Sequence, residues 1–179
     1  MSSTRLKISL VQSNPTVGGM QLNAEYVLVK ANEAEKNRSD LIIFPEMFLC
    51  GYQPLDLLKK RSFLENIASQ VQSIAQKTIN LAVRILIGAP WLLEGKIYNV
   101  FISIHKGSIK IVSKKSHLPN YDVFDEKRFF VSGHELELLD LGNLKIGFPI
   151  CEDAWYPDII CRLKQLGADI IIIPNGSPY

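Results

Sequence analysis

The amino-acid sequence predicts an α/β protein in which helices cover mixed β-sheets. Short apolar, β-branched runs alternate along the chain with segments of helical periodicity, which is typical of layered α/β proteins. Two pairs of β-branched runs are joined by short turn sequences, and such pairs indicate antiparallel hairpins. We therefore expect some strands to be connected by helices and others by turns.

The chain begins with a predicted strand and a predicted amphipathic helix. Residues 6–10 alternate apolar and polar side chains, as a strand does, before a turn-forming Asn-Pro-Thr-Val-Gly-Gly sequence. Residues 21–36 follow with helical periodicity. On this helix Leu22, Tyr26 and Val29 recur at i, i+4 and i+7, so we expect them to face the core.

The next three elements read as strand, helix and strand. The apolar run 41–44 stops at Pro45, which predicts a strand covered on both faces. Residues 64–75 form an unbroken apolar stripe at helical spacing, and residues 83–88 read as another buried strand.

The middle of the chain predicts two hairpins separated by a long loop. Residues 97–104 and 109–112 are joined by His-Lys-Gly-Ser, and residues 136–141 and 144–150 by Gly-Asn. The segment 115–133 between the hairpins is polar and aromatic. It is too long for a simple connection and is therefore a candidate for function.

The last predicted elements are a helix over 157–166 and a buried strand over 169–173. The helix would turn Ile159, Ile160, Leu163 and Leu166 inward. Little sequence remains after this strand to cover it. We therefore expect residues 1–179 to form one domain that is incomplete at its C-terminal side. The apolar surface near this strand predicts self-association into a homo-oligomer.

Composition narrows the class of ligand and the compartment. The 179 residues are 47% hydrophobic and 21% charged with a net charge of +2, so neither nucleic acid nor a membrane is an expected partner. No signal-peptide or membrane-spanning run is seen, which predicts a cytoplasmic protein. Cys50, Cys151 and Cys161 lack the spacing of a disulfide framework, which favours a reducing compartment.

Three polar residues stand where apolar strands give way to loops, namely Glu46, Lys115 and Cys151. If their strands lie side by side in one direction, the three side chains meet at one edge of a sheet, where α/β proteins bind ligands. A thiol needs a base or a cation to become a nucleophile near neutral pH, and Glu46 and Lys115 could supply both. Lys115 and the N–H of Glu152 could stabilise an oxyanion, so acyl transfer from an amide is expected.

The same residues carry a family resemblance. The segments 41–46, 115–119 and 147–155 resemble, in the right order, the three signature segments of the nitrilase (carbon–nitrogen hydrolase) superfamily. Residues 118–130 resemble more narrowly the glutaminase domain of the glutamine-dependent NAD(+) synthetases. The resemblance implies a nitrilase-like α-β-β-α sandwich whose C-terminal part is missing from this chain.

By this resemblance Glu46 is the general base, Lys115 the electrostatic partner and Cys151 the nucleophile that attacks the side-chain amide of glutamine. The resemblance also assigns four residues to the glutamine pocket: Tyr121, Phe124, Glu152 and Ser177. It implies no metal or cofactor for the amidase step. The ammonia would be used by a synthetase domain that needs ATP, Mg²⁺ and deamido-NAD and that this chain lacks.

Other interpretations of these residues exist. Cys50 and Cys161 are expected to be structural, and a zinc site of Cys50, His117, His134 and Cys151 would lack recognised ligand spacing. His117 could act as the base of a Cys–His dyad, although the motif gives that role to Glu46. At the level of function, the alternatives are a stand-alone amidase or nitrilase for another small amide or nitrile, and a non-catalytic remnant.

Overall fold

The structure is a computed structural model that describes residues 5–176. Its strands are β1 (Ile8–Leu10), β2 (Leu41–Ile43), β3 (Arg84–Leu93), β4 (Lys96–His105), β5 (Ser108–Lys114), β6 (Leu139–Leu141), β7 (Leu144–Gly147) and β8 (Ile170–Ile171). Its α-helices are α1 (Met20–Lys36), α2 (Arg61–Lys77) and α3 (Pro157–Gln165). Short 3₁₀ helices span Leu55–Lys59, Glu126–Arg128 and Cys151–Trp155. Over residues 5–176, no helix has the length and apolar character needed to cross a membrane.

The first sheet is mixed and has the strand order β1-β2-β3-β4-β5. β1, β2 and β3 are parallel, whereas β4 pairs antiparallel with both β3 and β5. β5 therefore runs in the same direction as β2. The hairpin predicted from residues 97–104 and 109–112 is confirmed as the pair β4 and β5. Strands β3 and β4 are longer than the sequence indicated.

The second sheet has the order β6-β7-β8. β7 pairs antiparallel with β6, as the second predicted hairpin requires, and parallel with β8. An isolated antiparallel bridge pairs Ser113, near the end of β5, with Leu136, which precedes β6.

The alternation of side chains along β2 shows how the layers stack. Ile42 and Phe44 belong to the core beneath α1 and α2, whereas Leu41 and Ile43 belong to a second core shared with the second sheet. α3 covers the other side of that sheet, since a Cβ at Gly147 would lie 2.9 Å from Leu163. The order of layers is thus helices, sheet, sheet, helix, and the predicted α-β-β-α sandwich is confirmed.

The predicted face of α1 is wrong. Leu22 and Val29 are 64% and 55% exposed, and Tyr26 is only half-buried. The buried positions are instead held mainly by small residues, namely Met20, Asn23, Ala24, Val27, Ala31 and Ala34. Small side chains let α1 approach its neighbours closely, so the largest apolar residues of this helix do not mark the buried face.

The last two elements are less buried than the sequence predicted. On α3, Ile159 and Leu163 are buried as expected and Ile160 is half-buried, but Leu166, which follows the helix, is 50% exposed. β8 consists of only two residues, both half-buried, at the edge of its sheet. Ile173, which follows it, is 48% exposed. An edge strand is covered on fewer sides than a central one, which explains the difference.

Candidate active site

Glu46 lies at the carboxyl end of β2, just after Phe44 and Pro45. Its carboxylate is buried, with 1% of the residue exposed. The backbone reaches this position by crossing β3 closely at Gly88, where a Cβ would lie 2.4 Å from the amide nitrogen of Met47. A glycine at position 88 is therefore required for Glu46 to stand where it does.

Lys115 directly follows β5 and is also buried, with 1% exposed. Its N–H donates to the Asn99 carbonyl at 2.9 Å, and its Nζ donates at 2.8 Å to Oε1 of Glu46 and at 2.8 Å to Oε1 of Glu126. Burial would lower the pKa of Lys115, but the charges of Glu46 and Glu126 outweigh it and raise that pKa. Lys115 is therefore a buried, permanently charged ammonium.

Glu126 is a second buried carboxylate in the cluster that sequence analysis did not single out. Its Oε1 also accepts a hydrogen bond from the Tyr52 hydroxyl at 3.0 Å. Burial, together with the charge of Glu46, raises the pKa of Glu126 to about 7 although Lys115 opposes the shift. The only signal for Glu126 was its place inside the segment 118–130.

Both oxygens of Glu46 accept further hydrogen bonds. The side-chain amide of Asn99, on β4, donates to Oε1 at 2.7 Å. The backbone N–H of Gly176 donates to Oε2 at 3.1 Å. Neither contact was predictable from the motif, because Asn99 reads as an ordinary strand residue and Gly176 lies far along the chain. Together they fix the direction in which the Glu46 carboxylate points.

Cys151 begins a 3₁₀ helix and has a backbone φ of +47°, in the left-handed region that a side chain rarely adopts. Its N–H donates to the carbonyl of Pro174 at 3.0 Å. Burial and the charge of Glu46 raise the pKa of the Cys151 thiol to about 12, while Lys115 lowers it. The resting thiol is thus protonated, and it needs a base before it can attack.

The predicted convergence of Glu46, Lys115 and Cys151 is borne out by this geometry, but the predicted route is wrong. β2 and β5 run in one direction with β3 and β4 between them, and Cys151 follows the second sheet. The three side chains meet because the two sheets face each other. Strand direction within one sheet would not have brought Cys151 to this place.

Three of the four residues assigned to the glutamine pocket lie beside this cluster. The hydroxyl of Tyr121 donates to Oε2 of Glu152 at 2.8 Å, and the ring of Phe124 stands edge-on to Tyr121 at 5.5 Å. Glu152 is 9% exposed, whereas Tyr121 is 51% exposed. Ser177 lies outside the described residues.

A cleft of about 320 Å³ opens next to these side chains. Its walls include Ser116, Leu118, Asn120, Tyr121, Glu152 and Tyr156. The long loop 115–133 forms much of this wall. The cleft is large enough for a small polar molecule.

The side chains of His117 and Cys50 contact groups other than Cys151. His117 stacks on Tyr156 at 4.0 Å, and its Nε2 lies 3.2 Å from each carboxylate oxygen of Asp158. The Cys50 thiol donates to backbone carbonyls. No group of three or more His, Cys, Asp or Glu within residues 5–176 is placed to hold a metal ion.

The site brings together three buried groups, namely the Cys151 thiol, the Glu46 carboxylate and the Lys115 ammonium. Such a set is suited to nucleophilic catalysis by the thiol. The carboxylate can accept the thiol proton, and the ammonium can stabilise the negative charge that develops on a carbonyl oxygen. In an α-β-β-α sandwich, this set suits hydrolysis of a carbon–nitrogen bond. The chain belongs to the carbon–nitrogen hydrolase family, whose model matches residues 7–179.

Among curated proteins, the chain is similar to glutamine-dependent NAD(+) synthetases. It is 39% identical over 175 residues to that of Rhodobacter capsulatus, covering 98% of this chain and 32% of the relative. It is 41% identical over 177 residues to that of Thermotoga maritima, covering 98% of this chain and 31% of the relative. The chain thus spans about a third of the length of these relatives.

Solved structures show the same likeness. A glutamine-dependent NAD(+) synthetase from Acinetobacter baumannii, in complex with ADP, superposes with a TM-score of 0.88 at 33% identity over 97% of this chain and 33% of that chain. An amidase of the nitrilase superfamily from Nesterenkonia superposes with a TM-score of 0.82 at 20% identity over 95% of this chain and 64% of that chain. The second likeness concerns the fold alone.

Proposed function

We propose that the chain hydrolyses the side-chain amide of glutamine through a thioester on Cys151. The observation that carries the proposal is the buried contact of Lys115 with Glu46, 2.8 Å long, beside a protonated thiol. Similarity to glutamine-dependent synthetases supports glutamine as the substrate. The known amide chemistry of such a thiol, base and cation supports the reaction.

Glu46 takes the proton of the Cys151 thiol as sulfur attacks the amide carbon. Lys115 and the N–H of Glu152 stabilise the oxyanion of the tetrahedral intermediate. Glu46 then returns the proton to the leaving nitrogen, so that ammonia departs and a glutamyl thioester remains. A water molecule deprotonated by Glu46 attacks the thioester, which releases glutamate and restores the thiol.

Substrate recognition in this proposal falls to the wall of the cleft. The Glu152 carboxylate binds the α-ammonium group of glutamine, since an ionic partner strengthens a hydrogen bond. Tyr121 orients Glu152 through their 2.8 Å hydrogen bond. By the family resemblance, Phe124 and Ser177 are also assigned to glutamine binding.

The ammonia is consumed by a synthetase region that binds ATP, Mg²⁺ and deamido-NAD. The support for this step is the name and the greater length of the curated relatives. Self-association of the chain belongs to the same proposal, because apolar side chains such as Ile173 are exposed near β8.

The test is ammonia release from glutamine by the chain and by Cys151→Ala. We expect the substitution to reduce the rate by at least about 10³-fold, because no other group supplies the nucleophile. Cys161→Ala is the matched control, since Cys161 is exposed on α3, and we expect it to leave the rate unchanged. A trapped thioester on Cys151, seen as added mass, should disappear only in Cys151→Ala.

Other outcomes would favour the alternatives. If butyramide is hydrolysed and glutamine is not, the protein is a general amidase. If the folded chain releases no ammonia from either amide, the non-catalytic interpretation holds for this chain.

A further inference from the structure

Asp153 is the most deeply buried carboxylate next to the candidate active site, with 0% of the residue exposed. Its two oxygens accept hydrogen bonds from three backbone N–H groups. Oδ1 accepts from Ser116 at 3.0 Å and from His117 at 2.7 Å. Oδ2 accepts from Ile150 at 3.1 Å.

These three donors belong to two different parts of the site. Ser116 and His117 directly follow Lys115 at the end of the first sheet, and Ile150 directly precedes Cys151 after the second sheet. The Asp153 carboxylate therefore binds both the backbone that follows Lys115 and the backbone that precedes Cys151. Each oxygen serves one of the two segments.

Capping of the 3₁₀ helix at Cys151–Trp155 does not explain this arrangement. A cap accounts for the bond from Ile150, but it gives no reason for the bonds from Ser116 and His117, which lie more than 30 residues away in the chain. A buried carboxylate is also costly unless its hydrogen bonds satisfy it. The three backbone groups that hydrogen-bond to Asp153 all lie within two residues of Lys115 or Cys151.

We infer that Asp153 is a positioning residue that sets the separation between the Lys115 ammonium and the Cys151 thiol. It does this by joining the loop after β5 to the turn after β7. The consequence for activity rests on the proposed function, whereas the consequence for thiol reactivity does not.

The experiment measures the alkylation rate of Cys151 by iodoacetamide in wild type and in Asp153→Asn, followed by peptide mass. An amide has one acceptor oxygen, so Asn keeps the bonds to one segment and loses those to the other. Cys161, exposed on α3, is an internal reference in the same sample. Asp169→Asn is the control, because Oδ2 of the exposed Asp169 also accepts a backbone N–H, that of Lys145 on β7, at 2.8 Å.

The sign of the change separates three explanations. Loss of a nearby negative charge would by itself favour the thiolate and speed alkylation, and general loosening would expose Cys151 and speed it too. Displacement of Lys115 removes a cation that favours the thiolate and slows alkylation. We expect Asp153→Asn to react about tenfold more slowly, with Cys161 and Asp169→Asn unchanged. An unchanged or faster rate at Cys151 would overturn the inference.

A measurement without substitution guards against a variant that fails to fold. Backbone amides of Ser116 and His117 lie outside the strands, yet the bonds to Asp153 predict hydrogen exchange as slow as that of β5. Fast exchange at both amides would contradict the bridging role.

Activity provides the last comparison. If the chain hydrolyses glutamine, Asp153→Asn should lower kcat by about 10- to 100-fold, because misplaced groups slow the chemical step, with a smaller change in KM. If wild type is inactive, the proposed function fails, and the alkylation and exchange results still decide the role of Asp153.

Discussion

Adjacent lysines at the end of β5 have opposite environments. Lys114 forms an ion pair with Glu135 at 2.7 Å, and the side chains of Lys114 and Glu135 are 20% and 75% exposed. Lys115 forms ion pairs with Glu46 and Glu126, and its side chain has no exposed surface. Exposed pairs are screened by water, whereas a buried carboxylate that loses its cation stays uncompensated.

This contrast predicts different losses of stability for one substitution at neighbouring positions. We expect Lys115→Met to lower the free energy of unfolding by about 3–5 kcal/mol, since two buried carboxylates lose their partner. Lys114→Met should cost less than roughly 1 kcal/mol. Urea denaturation at pH 7 measures both, and equal losses would show that the Lys115 cluster is as well solvated as the surface pair.

At the scale of elements, α1 shows where sequence patterns mislead. Its buried face places the small residues Ala24, Val27 and Ala31 in the core that also holds the buried residues of α2, while Leu22 and Val29 stay exposed. α2 was predicted correctly, because its apolar residues are large and occupy one face only. Hydrophobic periodicity finds a helix, but it finds the buried face only when that face carries the large residues.

The exposed side of α1 therefore tolerates changes that its buried side does not. We expect Leu22→Ser to change the free energy of unfolding by no more than about 0.5 kcal/mol. Val27→Ala should cost roughly 1.5–3 kcal/mol, because it opens a cavity in the core. Thermal and urea unfolding of the two variants test the assignment, and a larger loss for Leu22→Ser would reverse it.

At the scale of the whole molecule, the sequence indicated which residues meet but not how. The polar residues Glu46, Lys115 and Cys151 were identifiable because each follows the end of an apolar run and lies in a segment that resembles a family signature, and both are local features of the sequence. Glu126, Asn99 and Gly176 were not, since their contacts depend on two sheets packing face to face. Long-range packing leaves no periodic trace in a single sequence.

The buried charges around Lys115 make the free energy of unfolding depend on pH. Glu126 has a pKa of about 7 in the folded state, above its ordinary value of 4.5, so the folded protein binds more protons than the unfolded chain between these two values. The free energy of unfolding attributable to this group is therefore highest below about pH 4.5 and falls as the pH rises towards 7. The shift corresponds to at most roughly 3–4 kcal/mol.

Glu126→Gln removes this titration and should flatten the fall in stability between pH 5 and pH 7 relative to wild type. Glu135→Gln is the contrasting control: hydrogen bonding to Lys114 lowers the pKa of Glu135, so its contribution is present above the ordinary value and is lost as the pH falls. Glu135→Gln should therefore leave the slope between pH 5 and pH 7 unchanged and alter the profile only below about pH 4.5, where it removes a rise of stability with pH. Urea denaturation at several pH values measures both profiles, and an unaltered profile in Glu126→Gln would mean that Glu126 is ionised throughout this range. In that case Lys115 alone would offset both carboxylates, and the site would carry a full negative charge that opposes formation of the Cys151 thiolate.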